Sequence, residues 1–200
     1  MLAMTAITLE TLREKLKEWK GCDLQKTANP VLGEGNPQAT IMFIGEAPGQ
    51  KEDEQGRPFV GAAGQFLDEL LTSIGLKRAD VYISNVVKYR PPENRDPLPI
   101  EKEQCEPWLM LEIALIQPRV IVPLGKHALG NFFTKLSIST EHGQALKLTD
   151  AVTIFPIFHP AAALHNGGLR QTLYDDFTAL KKFLTESNIP IARSPLAADR

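Results

Sequence analysis

Four short apolar runs, each broken off by a glycine, a proline or a polar residue, constrain this chain more than any other feature. They are Thr40–Ile44, Asp80–Val87, Arg119–Leu124 and Val152–Phe158. The first is apolar at successive rather than alternate positions, as in a strand covered on both faces. Between and around the runs lie stretches with helical spacing. Leu9, Leu12, Leu16 and Trp19 form one apolar stripe within Thr8–Trp19. Leu67, Leu70, Leu71 and Ile74 form another within Gln65–Ile74. Further helices are predicted over Ile100–Ile116, entered through Pro97 and Pro99, over Lys126–Lys135, opened by Gly125, and over Leu169–Leu184. Strands that alternate with helices build a mostly parallel sheet with helices on both faces. The expectation is an α/β fold: a three-layer α/β/α sandwich around a central, mostly parallel four-stranded sheet. It fills a single domain over residues 1–187. Residues 188–200, with two prolines and no apolar period, are expected as a flexible tail.

The chain has 200 residues, of which 43% are hydrophobic, enough for the core of one domain. No stretch approaches the roughly 18 uninterrupted apolar residues of a membrane span. Met1 to Lys20 mixes Leu and Ile with Glu, Lys and Arg, unlike a signal peptide. These features predict a cytoplasmic monomer without a membrane partner. Cys22 and Cys105 are too few for a disulfide framework. A formal net charge of −2 means that any contact with nucleic acid must come from a local basic surface.

In such folds sites gather outside the carboxyl ends of the strands. The first run ends in Gly45-Glu46-Ala47-Pro48-Gly49, a tight loop whose backbone a planar base or an anion could approach closely. Alone, it is more often an ordinary strand-to-helix turn. Glu52-Asp53 and Gly56-Arg57-Pro58-Phe59-Val60-Gly61 follow. Phe59, held by a stiff loop, suits stacking on a base, and equally a plug under the loop. The second run carries Asn85, whose amide can read the edge of a base. The stretch beyond it is basic and stiffened by proline. It suits a phosphate clamp through Lys88, Arg90 and Arg95, and also a solvated loop. After the fourth run come His159-Pro160 and an Ala run ending in Leu164. His159 could donate to a developing oxyanion, and Leu164 could wedge into a base stack. A structural histidine and a helix start are the plainer alternatives. No Walker-type loop or Gly-x-Gly-x-x-Gly turn is present, so a nucleotide-binding protein of unrelated chemistry ranks last.

These motifs, in this order, resemble the family 4 uracil-DNA glycosylases within the uracil-DNA glycosylase superfamily. The likeness runs from Leu16 to Leu184. It is carried by the two loops after the first strand, Ile83-Ser84-Asn85-Val86-Val87-Lys88, Arg90-Pro91-Pro92-Glu93-Asn94-Arg95, Cys105, Pro118 to Gly125 and His159-Pro160. It implies an enzyme of base excision repair that flips uracil out of single- or double-stranded DNA and hydrolyses its N-glycosidic bond. Glu46 and His159 are then catalytic, Glu46 by positioning or activating water and His159 by donating to uracil O2. Gly45, Ala47, Phe59 and Asn85 bind the base. Lys88, Arg90, Arg95, Leu164 and Arg170 contact DNA. Family 1 relatives have Asp at the position of Ala47. Pro92 to Pro97 contains no His of the kind that forms a covalent adduct in a neighbouring branch.

The resemblance also exposes a departure. Family 4 members hold a four-iron, four-sulfur cluster with four cysteines. Here Cys22 matches the second and Cys105 the third, while Trp19 stands at the first, and no cysteine occurs near Ile121, where the fourth is expected. Such clusters need thiolate ligands, usually four. The expectation is therefore a relative with no cluster, no metal and no other cofactor, with Trp19 and the aliphatic strand filling the space. Two alternatives stand beside it: a glycosylase for other deaminated bases such as hypoxanthine or xanthine, and a DNA-binding relative with an eroded site.

Overall fold

The structure is a computed structural model in which residues 7–191 are described. A six-stranded sheet runs through its centre in the order β1-β3-β2-β4-β6-β5. The strands are β1 (Glu34–Gly35), β2 (Ile41–Gly45), β3 (Tyr82–Asn85), β4 (Val120–Pro123), β5 (Leu146–Lys147) and β6 (Thr153–Ile154). The inner pairs β2·β3, β2·β4 and β4·β6 are parallel, and β1 and β5 cap the two edges antiparallel. The four parallel strands are those expected from the apolar runs. The two edge strands correct the expected count from four to six. Each is two residues long, too short to leave an alternating pattern in the sequence.

Helices α1 (Leu9–Glu18), α2 (Gln50–Gln55), α3 (Ala62–Ser73), α4 (Pro99–Ile116), α5 (Gly125–Gly130), α6 (Ile138–Glu141), α7 (Pro160–His165) and α8 (Gly168–Glu186) complete the fold. Side chains alternate across a strand, and β2 shows what this does here. Ile41 and Phe43 face a core built with α3, α7 and α8. Met42 and Ile44 face a second core built with α1, α4 and α5. The result is the expected three-layer sandwich. Thr8 caps α1 with Thr11 in a reciprocal pair, which starts the first helix where its apolar stripe begins.

Several bounds differ from the sequence reading. The run at Val152–Phe158 keeps only a short ladder, followed by a single bridge from Ile157 to Leu124, because Pro156 interrupts it. The helix expected to reach Lys135 ends at Gly130. The segments at Gln50–Gln55 and Pro160–His165 are short helices, the second being the helix start given as the plainer alternative. At the carboxyl end, Ile189 and Ile191 pack against the first core and the Pro190 carbonyl accepts from Thr40 Oγ1 at 2.7 Å, so the stretch from 188 begins held. The rest of the expected tail lies outside the described residues.

One buried charge pair ties the sheet to α4. Lys88 and Glu112 are both wholly inaccessible and bonded to each other. Lys88 Nζ also donates to Ser84 Oγ at 2.9 Å and to the Asn85 carbonyl at 2.6 Å. Glu112 accepts in addition from Gly33 N–H, Tyr82 Oη and Ser84 Oγ. Removing one partner strands a buried charge. Lys88→Met is therefore expected to cost about 3–5 kcal/mol in urea unfolding, and Lys88→Met/Glu112→Gln less than that single change. Equal losses in the two proteins would show that the charge itself is not what costs.

Candidate active site

The carboxyl ends of β2 and β3, the loops that follow them, and α7 surround a cleft of about 500 Å³. The register of β2 and β3 sets Gly45 beside Asn85. A Cβ on Gly45 would meet Asn85 Oδ1 at 2.4 Å and the Phe59 ring at 2.5 Å. Only a residue without a side chain lets the amide and the ring converge at this strand end. Phe59 is buried at 6% exposure, lies against the His159 ring with centroids 5.6 Å apart, and forms part of the cleft wall. It thus serves as a plug under its loop while presenting part of its ring to the cleft.

Asn85 is buried, and its Oδ1 has no hydrogen-bond partner among the described residues. A buried acceptor left unpaired is costly. One that lines a cleft can be completed by a donor on an incoming molecule.

His159 lies at the N-cap of α7. Its Nδ1 accepts from Ala161 N–H at 3.1 Å, so the proton of the neutral ring is on Nε2. Burial pulls its pKa down to about 4, against the pull of Glu52, and the ring is neutral at pH 7. Gly125, at φ +84°, would bring a Cβ to 3.1 Å from His159 Cβ, so the turn after β4 also leaves room for this ring.

Two groups that sequence reasoning did not assign hold the loops. Glu52 accepts from Val60 N–H at 2.8 Å and Gly61 N–H at 2.7 Å through Oε1, and from Gly49 N–H at 3.1 Å through Oε2. It pins the glycine-rich loop to the loop that carries Phe59. Arg78 donates to the carbonyls of Pro58 and Phe59, holding Phe59 at φ +54°, a conformation unusual for a bulky residue. The pairing of Glu52 with Asp53 in the sequence was the only trace of this clamp.

Glu46 is half-buried on the cleft wall. Burial, and then the charge of Asp96, push its carboxyl up to about 7, with Lys102 and Lys126 opposing. Glu46, Asp96 and His127 bring three potential ligand atoms within 4.8 Å of one another. Lys102 Nζ donates to His127 Nδ1 at 2.9 Å, and Lys126 Nζ lies 3.4 Å from Asp96 Oδ2. Two ammonium groups already supply positive charge here, which disfavours a further cation.

The basic residues expected to grip phosphate fare unevenly. Lys88 is corrected: its ammonium is sealed in the core and cannot reach DNA. Its partner Glu112 lies on α4, which the run of basic residues could not reveal. Arg95 lines the cleft, but its guanidinium is held by Glu101 at 2.6 and 2.9 Å. Arg90 Nε donates to Asn94 Oδ1 at 2.7 Å. Arg170 lies over the Phe66 ring at 4.3 Å and pairs with Glu69 at 2.6 Å. Ala47 lines the cleft, and Leu164 is 46% exposed on α7. His165, unassigned from sequence, also stands at the cleft.

Away from the cleft, Cys22 and Cys105 are buried with their side chains in mutual hydrogen-bonding reach. Trp19 stacks on Tyr89 at 6.0 Å and meets Trp108 edge-on at 5.4 Å. The two thiols help to push the Tyr89 hydroxyl up to about 12, after burial itself. Tyr89 and Trp19 thus pack beside the thiols, in the same core cluster as Ile121 of the aliphatic strand. Burial pushes the Cys105 thiol up to about 12 and raises Cys22 as well, so both stay protonated at pH 7. Two thiols with stacked aromatic rings packed around them supply half of the four ligands of a four-iron cluster, so these residues do not fit one.

Residues 32–184 match the uracil DNA glycosylase superfamily. The chain is 45% identical over 185 residues to a type-4 uracil-DNA glycosylase of Sulfurisphaera tokodaii, spanning 88% of this chain and 84% of the relative. It is 42% identical over 181 residues to a type-4 enzyme of Thermotoga maritima, spanning 88% and 94%. A type-5 uracil-DNA glycosylase of Thermus thermophilus is 38% identical over 117 residues, spanning 51% and 53%.

The raised Glu46 carboxyl has a consequence for stability. It holds its proton more tightly in the folded than in the unfolded chain. The stabilisation is full below the ordinary carboxylate range and is lost as pH rises through about 7. Glu46→Gln, which cannot ionise, is expected to melt close to the parent at about pH 5 and a few degrees above it at about pH 8.5. Melting curves that stay parallel across this range would place the Glu46 carboxyl in its ordinary range.

Proposed function

The chain belongs to the uracil-DNA glycosylase superfamily, and we propose that its cleft receives a uracil flipped out of DNA and cuts its N-glycosidic bond by hydrolysis. It is a DNA N-glycosylase, a hydrolase of DNA repair. The single observation that carries the division of labour is the unpaired Oδ1 of Asn85 at the cleft wall. Uracil N3–H supplies the missing donor, and the Asn85 amide N–H can donate to O4. Cytosine offers an acceptor at N3 and a donor at C4, and so meets the amide with the wrong polarity.

Phe59 stacks on the base. As the C1′–N1 bond breaks, its electron pair passes to the uracil, with charge gathering at O2, while the sugar approaches an oxocarbenium ion. His159 Nε2–H donates to that oxygen. A neutral donor suits this task, since it stabilises the anion without having to give up its proton. Glu46 orients the attacking water and takes its proton as the bond to C1′ forms. Leu164 fills the gap left in the stack. Among the charges expected to meet phosphate, Arg90, Arg95 and Arg170 remain candidates, provided that DNA competes with their present partners. No step passes through a metal or cluster. Single- and double-stranded DNA both serve as substrate. The enzyme works as a cytoplasmic monomer, a reading supported by its DNA substrate and by a cleft that one chain builds. Among the described residues no helix is long and apolar enough to cross a membrane.

Single-turnover excision from U·A, U·G and single-stranded oligonucleotides, read by alkaline cleavage at abasic sites, tests these roles. Asn85→Ala should lower excision roughly 5- to 150-fold on every substrate, the equivalent of about 1–3 kcal/mol for a buried partner lost. His159→Ala should cost about 10²–10³ on all three. Leu164→Ala should cost most on U·A, less on U·G and least on single strands, because unstacking is dearest in an intact pair. A parental rate for Asn85→Ala would remove the base reader, and a uniform loss for Leu164→Ala would remove the wedge.

The purified enzyme should be colourless and active without iron. A brown preparation with about four irons per chain would overturn the cluster-free reading.

A further inference from the structure

Beside the cleft, Glu46 is one member of a chain of side chains drawn from four separate segments. Glu46 itself follows β2. Asp96 follows the turn at Pro92–Asn94, Lys102 stands on α4, and Lys126 and His127 stand on α5. His127 Nε2 is 2.9 Å from Asp96 Oδ2 and 3.6 Å from Glu46 Oε1. Its Nδ1 is 2.9 Å from Lys102 Nζ. An ammonium group has no lone pair to offer, so Nδ1 must be the acceptor, and the ring proton lies on Nε2. That single N–H therefore points at two carboxylates. Asp96 is on an exposed loop, with 66% of its side chain accessible, and needs an anchor to stay near the cleft wall. His127, only 18% accessible, is that anchor.

We propose that His127 is a positioning residue for Glu46: its Nε2–H, aimed by Lys102, holds the Asp96 carboxylate beside Glu46 and so sets the basicity of the carboxylate that handles water. The inference rests on the reading of Glu46 given above and assigns a new role to His127, Lys102 and Asp96. The physics is like-charge coupling. Burial is the largest single influence on Asp96 and works against its charge, but the hydrogen bond from His127 and the charge and hydrogen bond of Lys126 together hold its carboxyl below the usual range. Burial makes Glu46 reluctant to ionise, and an anionic Asp96 within 4.8 Å adds to that reluctance, so that once ionised Glu46 is a stronger base than an ordinary glutamate. Lys102 and Lys126 moderate this from the other side. His127 itself is kept neutral by burial and by Lys102, against the pull of Asp96. The groups charged around Glu46 are thus Asp96, Lys102 and Lys126, and the neutral imidazole spaces them.

The test is the pH profile of single-turnover uracil excision from single-stranded DNA. In the parent the rate should rise with pH through about 7, as Glu46 loses its proton. His159 adds no inflection there, since it is neutral above about pH 4. His127→Ala frees Asp96 to swing into solvent. It should move the midpoint down by about one pH unit or more and lower the plateau, since a weaker base remains. Asp96→Asn, a change on an exposed loop, should move the midpoint the same way. His127→Gln can place an amide N–H where Nε2 stood and should restore the parental midpoint. Glu46→Gln separates the inference from its foundation. If that variant keeps the inflection at about pH 7, the reading of Glu46 fails and the inference falls with it. If Glu46→Gln abolishes the inflection while His127→Ala and Asp96→Asn leave midpoint and plateau unchanged, Glu46 stands and the role of His127 is overturned. A loss of rate in His127→Ala with an unmoved midpoint, not rescued by His127→Gln, would likewise mark His127 as merely structural.

Discussion

The buried pair of Lys88 and Glu112 is the interaction on which the cleft depends. Lys88 Nζ holds the carbonyl of Asn85, so the charge pair acts directly on the residue that lines the cleft. Replacing a buried ion pair by apolar groups is often no worse for stability. The gain here is geometric. Each carboxylate oxygen of Glu112 has two donors, Gly33 N–H and Tyr82 Oη on Oε1 and Ser84 Oγ and Lys88 Nζ on Oε2. A network satisfied on all sides permits one arrangement of β3 against α4 and penalises others. With β3 fixed, its parallel register with β2 brings Asn85 to Gly45, and the missing Cβ at Gly45 admits Phe59.

A second layer of carboxylates works outside that network. Glu52 binds three backbone N–H groups and joins the two loops over the cleft. Glu101 holds Arg95, and also accepts from Leu98 N–H at the start of α4. Both acids act as staples. Glu46 differs because it is half-buried beside another carboxylate, with the nearest imidazole nitrogen 3.6 Å away. Its environment therefore shifts its proton affinity toward neutral pH, where a general base works best. The contrast among three glutamates close to one cleft follows from their partners alone.

The cysteines lie in a second packed region, away from the cleft. Cys22 and Cys105 join two parts of the second core, α4 and the segment after α1, by apolar contact. Trp19, Tyr89 and Trp108 surround them with aromatic area, and Tyr89 Oη reaches back to the Leu16 carbonyl at 3.0 Å. Aromatic packing of this kind contributes area burial and specific ring geometry together. It joins the start of the chain to α4.

The sequence by itself determined the layered α/β architecture, because strand and helix periods are local properties of the chain. It also named Glu46, Phe59, Asn85 and His159, since the ends of parallel strands lie on one edge of such a sheet. Short edge strands were not legible, as two residues carry no period. What only the tertiary structure decided was the fate of each charge. Lys88 and Arg95 stood in one basic run, yet the first is sealed in the core and the second is tied to Glu101. Lys88 finds its carboxylate 24 positions away and His127 finds Asp96 31 positions away. Such partners are chosen by which helix packs on which strand. A charge takes its proton affinity and its availability to DNA from neighbours brought near by folding, and nothing local to the residue records them.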